Sequence, residues 1–232
     1  MLFRSTAMPS SNRTPTQPLP IVILLSGRGS NMAVIARAAA NGELPVEVRA
    51  VVSDQPAAAG LGLATELGLR TEVLSYRGFT QRADYDQRLL ELVAAQQPGL
   101  VVLAGFMRIL SAAFINAFAD RIMNVHPSLL PQYRGLHTHR RVLQAGEPVH
   151  GASVHFVTEE LDGGPVIVRS CIDVLAGDTE ETLSVRVQSQ EHRIYSQAID
   201  WFARGRLELR NGCVWLDGAL LTAPITVDAR GI

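Results

Sequence analysis

The sequence predicts an α/β domain built on a doubly wound, mostly parallel sheet, with an antiparallel extension near the C-terminus. Short apolar runs at residues 20–25, 46–52 and 100–104 alternate with amphipathic helical patterns. Such runs are typical of strands that are buried on both faces and connected by helices. Polar or glycine-rich segments follow several of the runs, and ligands of doubly wound folds bind beyond the carboxyl ends of the strands.

Length and composition favour one large domain and narrow the range of partners. The 232 residues are 47% hydrophobic, which is enough to bury a substantial core. The formal net charge of −1 argues against a nucleic-acid or membrane surface as the main partner. All 21 basic residues other than histidine are arginines, so a Schiff-base lysine and the lysine of a phosphate-binding P-loop are both excluded.

Three segments are predicted along the chain. Residues 1–19 are rich in Ser, Thr and Pro and contain no acid, which predicts a disordered arm. Residues 20–220 form the single domain, and residues 221–232 form a C-terminal tail. Two isolated cysteines, Cys171 and Cys213, and the absence of an apolar run of about 18 residues predict a cytoplasmic protein.

The first strand and its following turn predict a phosphate site. Residues 20–25 form the strand, Ser26 to Asn31 form a glycine-rich turn, and a helix follows with Met32 and Ile35 on its apolar face. Backbone N–H groups at such a helix N-terminus can receive a phosphate. The third glycine of the dinucleotide fingerprint is missing, and Ser30 and Asn31 could equally serve as plain helix caps.

The next elements continue the alternation. Strands are predicted at residues 46–52, 71–74 and 100–104, and helices at residues 57–67 and 85–96. The loop Gly105–Leu110 is apolar where loops are normally polar. It could form a wall for a flat ligand, or it could pack against a helix that begins near Ser111.

A strand that ends at His126 presents two polar groups. Asn124 and His126 lie two positions apart, so in a strand their side chains point to the same face. Pro127 favours an extended backbone at His126. An amide beside an imidazole can hold a carbonyl whose oxygen gains charge, although both groups could instead simply cap the strand end.

The second half of the chain adds an acid, a long helix and a hairpin. Strands are predicted at residues 149–157 and 166–174, and Asp162 precedes a Gly-Gly-Pro turn between them. A long helix begins at a capping box of Asp178 and Glu181. Glu191 lies on the apolar stripe of this helix, so it bonds a buried partner or faces a ligand cavity. An Asn-Gly turn at residues 211–212 predicts the terminal hairpin.

His137 and His139 alternate after the His126 segment and raise the question of a metal site. Alternate residues of an extended segment can share a face, and histidines can ligate zinc. No further histidine, cysteine or carboxylate cluster lies near them in the sequence to complete a ligand set, so no metal is predicted.

Six segments together resemble, in the same order, the phosphoribosylglycinamide formyltransferase family, which has a Rossmann-like fold. These segments are residues 26–31, 104–110, 124–131, 136–139, 155–165 and 188–192. One departure is Arg134, since other residues such as proline stand before Gly135 in some members. Methionyl-tRNA formyltransferases also have an Arg-Gly pair here, but the Leu136–His139 continuation favours the purine enzyme.

The resemblance implies transfer of the formyl group of 10-formyltetrahydrofolate to the amine of glycinamide ribonucleotide (GAR), giving formyl-GAR in purine biosynthesis. No metal, nucleic acid or membrane takes part, and a monomer or homodimer is expected. The implied catalytic residues are Asn124, His126 and Asp162. The implied GAR-binding residues are Gly29, Ser30, Asn31, Gln188 and Glu191. The implied folate-binding residues are Arg82, Met107, Arg108, Ile109, Leu110, Asn124, Thr158, Glu159, Glu160, Leu161 and Asp162.

These residues suit formyl transfer, and two rival functions use parts of the same pattern. Asn124 and a protonated His126 would stabilise the oxygen, while Asp162 would keep the imidazole charged. A nucleotide-binding module would use the glycine turn, but the missing glycine argues against it and only Asp54 offers an acid after the second strand. Hydrolysis of the formyl-folate by water would use the same catalytic residues without the phosphate loop.

Overall fold

A computed structural model describes residues 17–228, which form a central sheet with helices on both faces. The strands are β1 (Leu19–Leu25), β2 (Val46–Ser53), β3 (Thr71–Val73), β4 (Leu100–Leu103), β5 (Ile122–His126), β6 (Val149–Phe156), β7 (Val166–Asp173), β8 (Leu207–Arg210), β9 (Cys213–Leu216), β10 (Ala219–Leu220) and β11 (Ile225–Asp228). The helices are α1 (Ser30–Ala40), α2 (Ala59–Glu66), α3 (Arg82–Ala94), α4 (Ala112–Ala117), α5 (Thr138–Ala145) and α6 (Glu180–Ala203).

The main sheet has eight strands in the order β11-β7-β6-β5-β4-β1-β2-β3. Strands β5, β4, β1, β2 and β3 are parallel to their neighbours within that run. β6 pairs antiparallel with both β5 and β7, and β11 returns to a parallel pairing with β7. The predicted doubly wound, mostly parallel sheet is therefore confirmed, and β5 marks the change from parallel to antiparallel pairing.

A second, three-stranded antiparallel sheet in the order β10-β9-β8 follows α6 and forms the predicted C-terminal extension. Its hairpin turns at Asn211 and Gly212, which both have positive φ, as this tight turn type requires. The chain beyond residue 220, expected as a tail, contributes β11 to the main sheet. Residues 1–16 of the predicted arm and residues 229–232 of the tail lie outside the described residues.

The core lies on both faces of the sheet because successive residues of the buried strands alternate. Ile21, Ile23 and Leu25 of β1 pack on the face covered by α1 and α6. Val22 and Leu24 pack on the opposite face against α3. The hydroxyl of the fully buried Tyr195 on α6 donates to the carbonyl oxygens of Leu103 and Met123 at 3.0 and 2.8 Å. α6 is thereby fixed directly to β4 and β5.

Two local predictions need correction. The capping box of α6 is formed by Thr179 and Thr182, not by Asp178 and Glu181, because Thr179 is the N-cap residue. Asp178 instead accepts a hydrogen bond from the backbone N–H of Leu175 at 2.8 Å. Helix α5 was not predicted at all.

Within residues 17–228, no helix combines the length and apolar character that crossing a bilayer would need.

Candidate active site

A cavity of about 640 Å³ opens at the carboxyl ends of β1, β4 and β5. The three loops that were expected to converge do so, since Gly27–Asn31, Ala104–Ile109 and Asn124–Pro127 all line it. Gly135–His139, Leu161, Asp162, Glu180, Gln188 and Glu191 complete the lining. The topology explains the convergence, because parallel strands end on the same edge of the sheet.

Asn124 and His126 both line the cavity, as their two-residue spacing on β5 predicts. The antiparallel register places His155 opposite Asn124 and Ser153 opposite His126. The Ser153 hydroxyl donates to the Ser128 carbonyl at 2.7 Å and accepts from the Leu130 N–H at 3.1 Å. β6 therefore supports the segment that follows His126 as well as the strand itself.

His155 sets the orientation of the Asn124 amide. Its Nδ1 lies 2.9 Å from its neighbour's carbonyl oxygen on Phe156, which identifies Nδ1 as the protonated nitrogen. Its Nε2 lies 3.2 Å from Nδ2 of Asn124 and accepts from that amide. Burial lowers the pKa of His155 and so favours the neutral ring that this arrangement needs. One N–H of Asn124 remains available to a ligand.

The His126 imidazole is held between a carbonyl and a carboxylate. Its Nε2 lies 3.0 Å from the carbonyl oxygen of Tyr133, to which it donates. Its Nδ1 lies 3.5 Å from Oδ2 of Asp162. The side chains of His126 and Asp162 are 8% and 9% exposed, so their interaction is little screened by solvent. The structure thus brings together the three predicted catalytic residues.

The backbone around Asp162 is fixed by close contacts. Asp162 has a positive φ of 48°, a conformation that Asp tolerates better than most residues. Its Oδ2 accepts a hydrogen bond from the Gly135 N–H at 2.8 Å. Gly163 and Gly164 follow Asp162 in the predicted turn, and a Cβ on Gly164 would clash with the carbonyl oxygen of Phe156. The glycines let the Asp162 loop pack against β6.

Arg134, the departure from the family pattern, forms an ion pair with Glu160. The pair joins the segment that follows His126 to the loop that contains Asp162. Arg134 also accepts a hydrogen bond at its carbonyl oxygen from the Arg141 guanidinium at 2.6 Å. The two segments that bring His126 and Asp162 together are therefore connected on the outer side as well.

The N-terminus of α1, where the sequence predicts a phosphate site, lies at one end of the cavity, which we call its phosphate side. Gly29 is the N-cap residue with φ 77°, and no side chain caps the helix. Ser30 and Asn31 are therefore not plain caps, and the first N–H groups of α1 are free for a ligand. A Cβ on Gly29 would lie 2.7 Å from Cα of Gly60, and the Gly60 N–H donates to Gly27 at 3.0 Å. α2 thus packs directly against the loop.

Glu191 both bonds a partner and faces the cavity, which combines the two alternatives from the sequence. Nδ2 of Asn31 donates to its Oε2 at 2.8 Å, while Oδ1 of Asn31 is buried without a partner among residues 17–228. Burial raises the pKa of Glu191, and the Asn31 hydrogen bond and the charge of Arg28 only partly offset that shift. Gln188 lines the cavity one turn before Glu191.

The folate side of the cavity, as the resemblance defines it, consists of the loop after β4. Met107 and Ile109 are 65% and 58% exposed and line the cavity, whereas Leu110 is buried. Arg108 also lines the cavity. Arg82 does not line it, and its guanidinium donates to the Ile109 carbonyl oxygen at 3.1 Å. Thr158, Glu159 and Glu160 lie outside the lining, which includes only Leu161 and Asp162 of their loop.

The alternating histidines His137 and His139 have different surroundings. His139 Nδ1 lies 3.0 Å from Nε2 of His150, and burial lowers the pKa of His150 to about 4. His137 lines the cavity as the N-cap residue of α5, again with positive φ. Across the part of the chain that the structure describes, no three His, Cys, Asp or Glu side chains are grouped as metal ligands would be.

Sequence reasoning assigned no role to several polar lining residues, and three of them are Arg28, Thr138 and Glu180. Arg28 lies between the two glycines of the turn, Thr138 begins α5, and Glu180 begins α6. The position of Arg28 in the glycine turn could have revealed it, because that turn was already predicted to bind phosphate. Thr138 lies in the segment 136–139 that carries part of the family resemblance. Glu180 has no comparable sequence signal, since it reaches the cavity where α6 packs on α5 and accepts from Arg140 at 3.0 Å.

Comparisons with known proteins identify the family of the chain. The formyl transferase family model matches residues 19–199. Phosphoribosylglycinamide formyltransferase of Escherichia coli K12 is 50% identical over 87% of this chain and 95% of its own length. The corresponding structure from Coxiella burnetii is 44% identical, with a TM-score of 0.87 over 90% of this chain and 99% of that chain. A glycinamide ribonucleotide transformylase from Symbiobacterium toebii is 38% identical, with a TM-score of 0.85 over 89% and 99%.

The family model spans strands β1 to β7, the cavity loops and most of α6. The identities lie well above the level at which only a common fold could be inferred. The chain belongs to the formyl transferase family and, within it, to the phosphoribosylglycinamide formyltransferases.

Proposed function

We propose that the chain transfers the formyl group of 10-formyltetrahydrofolate to the amine of GAR and so catalyses a step of purine biosynthesis in the cytoplasm. The observation that supports this best is the arrangement of Asn124, His126 and Asp162 at one end of a cavity whose other end is a free helix N-terminus. A nucleotide with a phosphate and a reactive amine suits that layout.

GAR binds with its phosphate at α1 and its ribose toward α6. The free N–H groups of Ser30 and Asn31 receive the phosphate, and the positive end of the helix dipole favours its charge. Glu191 and Gln188 accept from and donate to the ribose hydroxyls. The hydrogen bond from Asn31 holds the Glu191 carboxyl in place before the ribose arrives.

Asn124 stabilises the oxygen of the reacting formyl group. When the amine nitrogen attacks the formyl carbon, the oxygen gains negative charge, and the free N–H of Asn124 donates to it. Because His155 already accepts from the same amide nitrogen, the donor needs no reorientation during the reaction. Breaking the bond between the formyl carbon and N10 of the folate then completes the transfer.

His126 and Asp162 move the proton. The incoming amine loses one proton and the leaving N10 gains one, so the transfer is neutral overall. Nδ1 of His126 and Oδ2 of Asp162, which lie 3.5 Å apart, are the two adjacent groups that can exchange it. The Gly135 N–H keeps the Asp162 carboxylate oriented toward the ring.

The folate binds between the Gly105–Leu110 loop and the Asp162 loop. Exposed Met107, Ile109 and Leu161 supply an apolar surface for its flat ring system, and Arg108 lines the same wall. Leu110 is buried and supports this wall from within the protein. Arg82 and Glu160 act from outside the lining by holding these loops.

The proposed activity is tested by supplying formyl-folate and GAR together and then each alone, and by following the absorbance of the deformylated folate. Release that requires both substrates supports transfer. Release from formyl-folate alone at the same rate would instead indicate hydrolysis. An Asn31→Ala variant separates the two further, because transfer needs the phosphate loop and hydrolysis by water does not.

The catalytic assignment is tested by Asp162→Asn. Loss of the carboxylate removes the proton acceptor beside His126, and formyl transfer should fall by roughly 100-fold or more. Asp173→Asn at the exposed end of β7 is the matched control and should retain normal turnover. Activity of Asp162→Asn within a few-fold of the parent protein would remove Asp162 from the mechanism.

A further inference from the structure

A polar network lies behind the folate side of the cavity, at the ends of three adjacent strands. Ser26 follows β1, Asp54 follows β2, and Met107 and Arg108 belong to the loop after β4. β4, β1 and β2 are neighbours in the sheet. The three chain segments therefore meet at one place on the same sheet edge that forms the cavity.

Asp54 is the centre of this network. Its side chain is only 1% exposed, yet its two oxygens accept three hydrogen bonds. The Ser26 hydroxyl donates to Oδ1 at 2.5 Å, and Nε of Arg108 and Nε2 of Gln55 donate to Oδ2 at 3.1 and 2.9 Å. A buried carboxylate that is paired and fully hydrogen-bonded fixes the geometry of its partners.

These partners control the folate-side loop directly. Ser26 Oγ, held by Asp54, accepts from the Met107 backbone N–H at 2.8 Å, and the Ser26 N–H donates to the Gly105 carbonyl at 3.0 Å. The Arg108 guanidinium lies 3.9 Å above the Tyr76 ring, a cation–π contact. The backbone of Met107 and the side chain of Arg108 are thus both fixed, although the Met107 side chain itself is exposed in the cavity.

We propose that Asp54 is a positioning residue for folate binding, acting through Ser26 and Arg108 on the loop that forms the folate wall. This rests on the proposed function, because it assigns that wall to the folate. Asp54 does not line the cavity and touches no substrate. It occupies the place after β2 where a dinucleotide-binding protein would bind a ribose, but its oxygens are used within the protein.

Removal of the carboxylate leaves the Ser26 hydroxyl without its acceptor and the Arg108 guanidinium without its counter-charge. The loop then populates several conformations, and the folate binds only the fraction that has the native one, which weakens its apparent affinity. The phosphate loop keeps its independent supports, the Gly60–Gly27 and Ala33–Gly29 backbone hydrogen bonds. The affinity for the folate should therefore fall while the affinity for GAR is retained.

The experiment compares Asp54→Ala, Asp54→Asn and Gln55→Ala with the parent protein in steady-state kinetics. We expect Asp54→Ala to raise KM for the formyl-folate about 10-fold and to leave KM for GAR within about 2-fold. Asp54→Asn keeps the shape of the side chain and one acceptor oxygen. Its KM for the formyl-folate should lie between those of Asp54→Ala and the parent. Gln55→Ala removes a hydrogen bond to the same carboxylate without touching the loop and should match the parent.

A double variant tests the route of the effect. Arg108→Ala alone should raise KM for the folate, and Asp54→Ala with Arg108→Ala should raise it by less than the product of the two single effects, because both act on one contact. Titration with a non-reactive folate analogue measures the same loss as a binding constant. It needs no turnover, so it separates this inference from a failure of formyl transfer in the parent protein.

Three results would overturn the inference. One is a folate KM for Asp54→Ala within 2-fold of the parent, about the scatter of such measurements. Another is an equal rise in KM for both substrates together with a lower unfolding temperature, which indicates a general structural role. The third is a double variant in which KM for the folate rises by the full product of the two single effects. If Asp54→Ala does not fold, the same comparison is made with Asp54→Asn, for which an unchanged folate KM is decisive.

Discussion

The two sides of the cavity are held in place by different means. On the phosphate side, contacts between backbone atoms hold the loop. Gly29 lies against Gly60, and the Gly60 N–H donates to the Gly27 carbonyl oxygen. On the folate side, side chains hold the loop, since Ser26, Asp54 and Arg82 bond to its backbone or to Arg108. The phosphate side should therefore be sensitive to any added Cβ, and the folate side to the removal of polar groups.

Gly60→Ala should raise KM for GAR strongly, because it changes the phosphate side of the cavity alone. Its Cβ would lie 3.0 Å from Cα of Gly29 and 3.1 Å from the Gly27 oxygen, so the loop must shift. We expect KM for GAR to rise by about 10- to 100-fold, as in other cases of misplaced binding groups. KM for the formyl-folate should change little. Initial-rate kinetics with each substrate varied would measure both.

Gly62→Ala is the matched control, because it lies in the same helix and its Cβ meets nothing within 4 Å. It should leave both KM values unchanged and stabilise α2 by up to about 1 kcal/mol in urea unfolding. A GAR affinity that falls equally in both variants would show that the loop responds to helix α2 in general rather than to the contact with Gly29.

Arg28→Gln tests whether a side chain, and not only the backbone, binds the phosphate of GAR. If it does, the difference between the two sides of the cavity is smaller than the contacts indicate. The Arg28 guanidinium has no hydrogen-bond or ion-pair partner among residues 17–228 and lines the cavity. If it contacts the GAR phosphate, KM for GAR should rise about 10-fold, the scale of one charge-assisted hydrogen bond. The rise should shrink at high salt. Arg37→Gln in the last turn of α1 is the control.

Arg82→Gln removes one side-chain contact of the folate-side loop, and its effect on KM for the formyl-folate should be smaller. Glutamine cannot reach the Ile109 carbonyl, so the outer end of the loop loses one of its anchors. KM for the formyl-folate should rise by about 3-fold, consistent with one exposed hydrogen bond, while KM for GAR stays constant. A change in GAR affinity instead would show that the loop communicates with the phosphate side.

Glu191→Gln has the smallest expected effect on stability and tests the pH dependence. Burial raises the pKa of Glu191 above that of the unfolded chain, so its contribution is most favourable at low pH and is lost as the pH rises through the folded pKa. Glutamine still accepts from Asn31 but cannot ionise. The variant should be more stable than the parent by about 1 kcal/mol or less at about pH 8 and should lose the advantage at about pH 4, as urea unfolding would show.

The sequence was most informative where a regular element fixes the direction of a side chain. Strand periodicity placed Asn124 and His126 on one face, and the glycine turn after β1 marked the free N-terminus of α1. The convergence of Asp162 on His126 needed the family resemblance, because no periodicity specifies the path of a loop between two strands.

The remaining features depend on contacts between distant segments. The hydrogen bond from Asn124 to His155 requires the register of two strands, and the link from Asp54 to Arg108 requires the order of strands in the sheet. α5 was missed because its basic sequence has few apolar positions, so packing on α6 decides its structure. β11 was missed because four residues are too few to show a period.

The central place of β5 has a consequence for the dynamics of catalysis. β5 pairs with a strand on each side, so exchange of its amide hydrogens for deuterium requires opening of the middle of the sheet. The loop of Asp162 has no such protection. Under mild destabilisation the aspartate should therefore lose its alignment while the asparagine and histidine keep theirs, and activity should disappear well before the protein unfolds.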